Sequence, residues 1–117
     1  MQGYLTTHVL DTARGCPAAG LKIDLFRLEE DTRLALGSMT TNADGRTDGP
    51  ILPSEEFAFG RYELVFHGGT YLSGCGAPSG SNGFLDIIPI RFEMSENSHY
   101  HVPLLLSPFG YSTYRGS

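Results

Sequence analysis

The sequence predicts an all-β protein, an antiparallel sandwich of seven or eight short strands. Three observations carry that prediction. Apolar residues recur with period two, and no stretch shows apolar spacing at i, i+3, i+4, i+7. Each run is bounded by turn residues: Arg14-Gly15, Asp44-Gly45, Asp48-Gly49-Pro50, Gly68-Gly69 and Ser95-Glu96-Asn97. The chain carries 15 Gly and 7 Pro in 117 residues, enough for many tight turns.

In chain order, Leu5-Thr6-Thr7-His8-Val9-Leu10 is rich in strand formers. Leu21, Ile23 and Leu25 then alternate with Lys22 and Asp24. Tyr62, Leu64 and Phe66 share one face against Arg61, Glu63 and His67. Ile88, Ile90, Phe92 and Met94 alternate with Ile87, Pro89, Arg91 and Glu93, and a last β-rich run covers 99–106. Ser73 to Gly83 is Gly/Ser-rich and reads as a mobile loop with room for at most a short helix.

The length predicts one domain over residues 1–117. No apolar run approaches the ~20 residues of a membrane span. Thirteen acidic against eight basic residues give a net charge of −5, with no basic cluster, so neither nucleic acid nor an anionic membrane is an expected partner. Two cysteines, Cys16 and Cys75, do not make a disulfide scaffold. The start Met1-Gln2-Gly3-Tyr4 has no signal-peptide pattern, so the expected location is cytoplasmic, with free thiols.

Three places break the strand pattern. His8 lies inside the first strand, on the face of Thr6 and Leu10. Arg46 follows the Asp44-Gly45 turn, and an arginine held at a strand end can bind a planar anion with its guanidinium fork. His99 and His101 share a strand face, a spacing that would suit a metal, but no third ligand can be named. Pro103 implies an edge or bulged strand. The tail, Leu104 to Ser117, stays apolar and aromatic almost to its end, as expected of a terminus docked on another subunit.

Together these motifs are similar to a known family. Leu5-Thr6-Thr7-His8-Val9-Leu10-Asp11, Thr41-Asn42-Ala43-Asp44-Gly45-Arg46-Thr47, and His99-Tyr100-His101-Val102-Pro103 through Tyr114-Arg115-Gly116-Ser117 resemble the 5-hydroxyisourate hydrolases, the transthyretin-related enzymes of urate breakdown. The resemblance covers essentially the whole chain, and the terminal Tyr-Arg-Gly-Ser is its most specific part. It implies a transthyretin-like sandwich of two four-stranded sheets, a homotetramer built as a dimer of dimers, and sites in clefts between dimers. It implies hydrolysis of 5-hydroxyisourate to 2-oxo-4-hydroxy-4-carboxy-5-ureidoimidazoline, without metal or organic cofactor. Carried over by motif, the catalytic residues fall on His8, Arg46 and His101, and substrate contacts on Tyr114 and Ser117. No role carries over to His99. The stretch Ser79 to Asp86 departs from the family's Phe-Phe-Pro-like segment, which bears on the short helix rather than on the chemistry.

The residue types suit that reaction. Ring opening needs a base for water, a cation for the developing oxyanion and a proton for the leaving nitrogen. An ordinary imidazole titrates near neutrality, and which of His8 and His101 is the base stays open. A transthyretin-like carrier of a small aromatic ligand is the alternative, since a fold does not fix a function. The polar, aromatic tail favours the enzyme, because Tyr114 and the histidines would narrow an open channel.

Overall fold

The structure, a computed structural model, describes residues 2–74 and 84–116. Its strands are β1 (Tyr4–Asp11), β2 (Cys16–Pro17), β3 (Lys22–Glu29), β4 (Thr32–Thr40), β5 (Gly60–His67), β6 (Ile87–Met94), β7 (His99–Ser107) and β8 (Gly110–Thr113). Among the described residues one α-helix, α1 (Gly68–Gly74), follows β5, and a single 3₁₀ turn covers Ser54–Glu56. The strands form two four-stranded sheets, ordered β2-β1-β7-β8 and β4-β3-β5-β6. This is the expected all-β sandwich. No helix among the described residues is long and apolar enough to cross a membrane.

Period-two alternation builds the core. Leu5 and Val9 of β1 and Leu104 and Leu106 of β7 are fully buried. They meet Ile23, Leu25, Leu64 and Phe66 of the second sheet, also fully buried. The intervening residues of β1 and β7 therefore point outward, and these include Thr6, His8, His99 and His101.

Three expectations need correction. The sheets are not wholly antiparallel: β1 pairs β7 in parallel, with Tyr4 beside His99, Thr6 beside His101 and His8 beside Pro103. Most of the chain connects these two strands, so nothing forces a hairpin between them. Pro103 marks neither an edge nor a bulge, because β7 lies between β1 and β8. The β7–β8 ladder starts at Leu104 opposite Thr113, so the missing N–H faces the side where pairing has ended. There the Pro103 carbonyl instead accepts from Thr113 Oγ1 at 2.7 Å.

The helix starts before the Ser73 to Gly83 stretch and runs into it, ending at Gly74. It begins at Gly68-Gly69, which read as a turn. These glycines allow close packing: a Cβ on Gly68 would stand 2.9 Å from Ile88 Cδ1, and one on Gly69 2.9 Å from Asp86 Cα. The loop expected at Ser73 to Gly83 falls mostly outside the described residues. Cys16 is a free thiol, and Cys75 lies outside the described residues. Finally, β4 had no signal in the sequence because nearly all of its residues are exposed.

Candidate active site

The outward face of β1 and β7 gathers histidines that are about ninety residues apart in sequence. The parallel register puts Thr6 beside His101 and leaves His8 and His101 on a diagonal. His8 Nδ1 lies 2.9 Å from His101 Nε2, with the two rings nearly coplanar in orientation at 16°. His101 Nδ1 lies 2.7 Å from Thr6 Oγ1, and His99 Nε2 lies 2.6 Å from the same hydroxyl. Tyr4 stacks flat on His99, with centroids 4.1 Å apart and an interplanar angle of 6°.

Arg46 reaches this face through a turn encoded by Asn42. The Asn42 side chain accepts from the backbone N–H of Asp44 and of Arg46, and the Asn42 N–H donates to the Arg46 carbonyl at 2.8 Å. Gly45 takes a left-handed φ of 73°, and a Cβ there would collide with the Val9 carbonyl. With Gly45 accepting from Val9 N–H, Arg46 forms a bridge to His8 at the edge of β1. Its guanidinium has no hydrogen bond or ion pair among the described residues. A cleft of about 390 Å³ opens between Arg46 and His101, walled by Tyr4, Thr6, Thr47 and His99.

The electrostatics are uniform in sign. Burial, then the Arg46 charge, lowers the pKa of His8 below its ordinary 6.5. Burial, followed by His8, Arg46 and His99, pushes His101 down to about 4. No carboxylate of the described residues is among the causes that act on either ring. Both imidazoles are therefore neutral at neutral pH and can accept a proton, beside a permanent cation that can hold a substrate oxygen.

The tail fixes His101 from the other side. Arg115 stacks over Tyr100 at 4.0 Å and reaches Glu96 at 3.2 Å. The next residue, Gly116, donates its N–H to the His101 carbonyl at 2.7 Å. A Cβ on Gly116 would come within 2.7 Å of the His101 ring, so only glycine lets the chain lie this close.

The structure thus brings together His8, His101 and Arg46. Tyr114 stands one residue past β8, 55% exposed, and no described contact joins it to either histidine within one protomer. Ser117 lies outside the described residues. Thr6, Tyr4 and Gly116 were not among the sequence candidates. The shared parity of Thr6 and His8 was visible, but not that β7 would lie beside them.

In sequence and in fold, the chain is similar to known proteins. Residues 5–116 match the family described as HIUase/Transthyretin. The 5-hydroxyisourate hydrolase 2 of Rhizobium meliloti (strain 1021) is 59% identical over 116 residues, covering 98% of this chain and 97% of that one. The structure of Klebsiella pneumoniae 5-hydroxyisourate hydrolase is similar with a TM-score of 0.81 at 33% identity, covering 97% of this chain and 99% of that chain. A crystal structure of (S)-allantoin synthase is similar with a TM-score of 0.90 at 47% identity over 99% of this chain, which spans 44% of that longer chain.

Proposed function

The chain belongs to the HIUase/transthyretin family, and from that premise we infer that it is a hydrolase that opens the ring of 5-hydroxyisourate. The observation that carries the mechanism is the 2.9 Å pairing of His8 with His101, beside an Arg46 guanidinium with no hydrogen bond or ion pair among the described residues. Both nitrogens of His101 are engaged, one by Thr6 and one by His8. His8 Nε2 has no partner among the described residues, so it is the nitrogen that takes the proton from water. His101 orients His8 through its Nδ1. The hydroxide formed attacks a ring carbonyl, and Arg46 holds the oxygen as it becomes negative. The ring C–N bond then breaks, and the proton returns from His8 to the leaving nitrogen. No covalent enzyme intermediate, metal or organic cofactor enters this sequence.

Tyr114 and Ser117 complete the site as substrate contacts in a homotetramer, a dimer of dimers. Two features support assembly. Strands β6 and β8 end the two sheets unpaired, and Ile87, Phe109, Tyr111 and Tyr114 expose large apolar surface along and beside them. Sedimentation is expected to show a tetramer, and an active monomer would contradict the assembled site. We place the reaction in the cytoplasm.

Purified protein mixed with freshly made 5-hydroxyisourate should speed its absorbance decay well above the uncatalysed rate. An unchanged decay, with tight thyroxine binding by titration, would replace the hydrolase by the carrier.

A further inference from the structure

We propose that the Thr6 hydroxyl and His99 continue the His8–His101 pair into a four-member proton relay, which carries the proton taken from water away from Arg46 and returns it to the leaving group. The proposal rests on the hydrolase reading above and assigns roles to two residues which that reading leaves unused. Three contacts form an unbroken chain: His8 Nδ1 to His101 Nε2 at 2.9 Å, His101 Nδ1 to Thr6 Oγ1 at 2.7 Å, and Thr6 Oγ1 to His99 Nε2 at 2.6 Å.

Each contact holds one proton, and together they admit only two polarities. For His8 Nε2 to present a lone pair, His8 Nδ1–H must donate to His101 Nε2. His101 must then carry its proton on Nδ1 and donate it to Thr6. The Thr6 O–H must in turn donate to His99 Nε2. A single hydroxyl thus fixes the tautomer of every ring that makes His8 a base. Valine has the same shape and could not do this.

The step balances. An O–H bond of water breaks, the C–O bond to the substrate forms, and a proton binds His8 Nε2. His8 passes its Nδ1 proton to His101 Nε2, His101 passes its Nδ1 proton to Thr6, and Thr6 passes its hydroxyl proton to His99 Nε2. All three hydrogen bonds reverse, and the one added charge rests on His99 as imidazolium. Reversal of the same transfers brings a proton back to His8 Nε2 and on to the leaving nitrogen as its C–N bond breaks. The starting polarity is restored without another reactant.

The surroundings favour that direction. Arg46 bears on His8 and His101, and His101 is further penalised by both neighbouring rings. His99 lies at the far end of the chain and rests face to face on the Tyr4 ring at 4.1 Å, where a cation is attracted by the aromatic face. Thr6 and His99 also wall the cleft, but in the relay they are positioning residues whose protons reach the substrate through His8.

Steady-state kinetics of Thr6→Val, Thr6→Ser, His99→Phe and the Thr6→Val/His99→Phe double variant test the relay. Thr6→Val and His99→Phe should each lower kcat about 10²-fold, the lower end for a proton-transfer group, with KM little changed. Thr6→Ser should restore most of that rate, and the double variant should lose no more than either single one. The wild-type protein supplies a second arm: kcat in H2O/D2O mixtures should curve downward with deuterium fraction, as expected for several protons in flight. A near-native Thr6→Val rate, multiplying losses, or a linear isotope plot would overturn the relay while leaving the hydrolase intact. Absence of hydrolysis by wild-type protein would instead remove the hydrolase reading and the relay together.

Discussion

The outer faces of the two sheets use the same strand geometry to opposite ends. On the second sheet, each outward ionisable group on β5 other than Arg61 meets an opposite partner. His67 Nε2 lies 2.8 Å from Asp24 Oδ2, and Glu63 accepts from Arg33 at 2.7 Å and from Arg91 at 3.1 Å. Burial pushes the Glu63 carboxyl up, but hydrogen bonds and charges from the two arginines outweigh it and hold the group below its usual 4.5. On the first sheet, like groups meet like: His8 faces His101, and Arg46 bears on both. The proposed reactive face thus differs from the structural one in charge balance rather than in strand placement. Paired arginines hold Glu63 as the carboxylate, whereas burial and the like-charged surroundings of His8 and His101 hold both rings toward the neutral, proton-accepting form.

The sharpest contrast comes from His101→Ala or His8→Ala. Each should lower kcat/KM about 10²–10⁴-fold in the absorbance assay while leaving the far-ultraviolet spectrum native. Near-native turnover by both variants would abolish the distinction between the faces. Arg46→Gln should cost about 10²–10³-fold through loss of oxyanion stabilisation. It should also move the acid limb of the pH–rate profile. Arg46 lowers the pKa of both histidines, and its removal raises those values. The base is then protonated, and the rate lost, at a higher pH than in the wild type. An unmoved limb would show that the Arg46 charge does not reach the pair.

On the balanced face the effects shift from rate to stability. Glu63→Gln should lower unfolding free energy by about 1–2 kcal/mol in urea, because a buried charge-assisted pair of contacts is weakened. Hydrolysis should be unchanged. Asp24→Asn should cost under about 1 kcal/mol, as expected for a partly exposed pair, with turnover within about twofold of wild type. A large rate loss in either variant would show that the faces are coupled.

Legibility followed the same division between local and distant information. Alternation at Leu5, Ile23, Leu64 and Ile88 made the core strands visible, because apolar side chains on one face of each meet the core, even in β5, where the other face is also covered from Glu63 to Val65. β4 has no such contrast: it is exposed along almost its whole length, so its pairing with β3 leaves no hydrophobic trace. Gly68-Gly69 misled because a glycine needed for close packing looks the same as one needed for a turn. Pro103 misled because its effect depends on where β8 stops, a fact outside its own strand. The site was legible as residue types in motifs. Its assembly was not, since the parallel β1–β7 register that sets Thr6 beside His101 is a long-range property.

The account stands or falls on the neutrality of the His8–His101 pair, and ¹⁵N NMR titration of the histidine side chains reads it directly. His101 should keep the nitrogen shifts of an uncharged imidazole through pH 6.5 and titrate near its shifted value of about 4. A His101 ring that is charged at pH 6.5, or that titrates as a solvent-exposed histidine does, would contradict it.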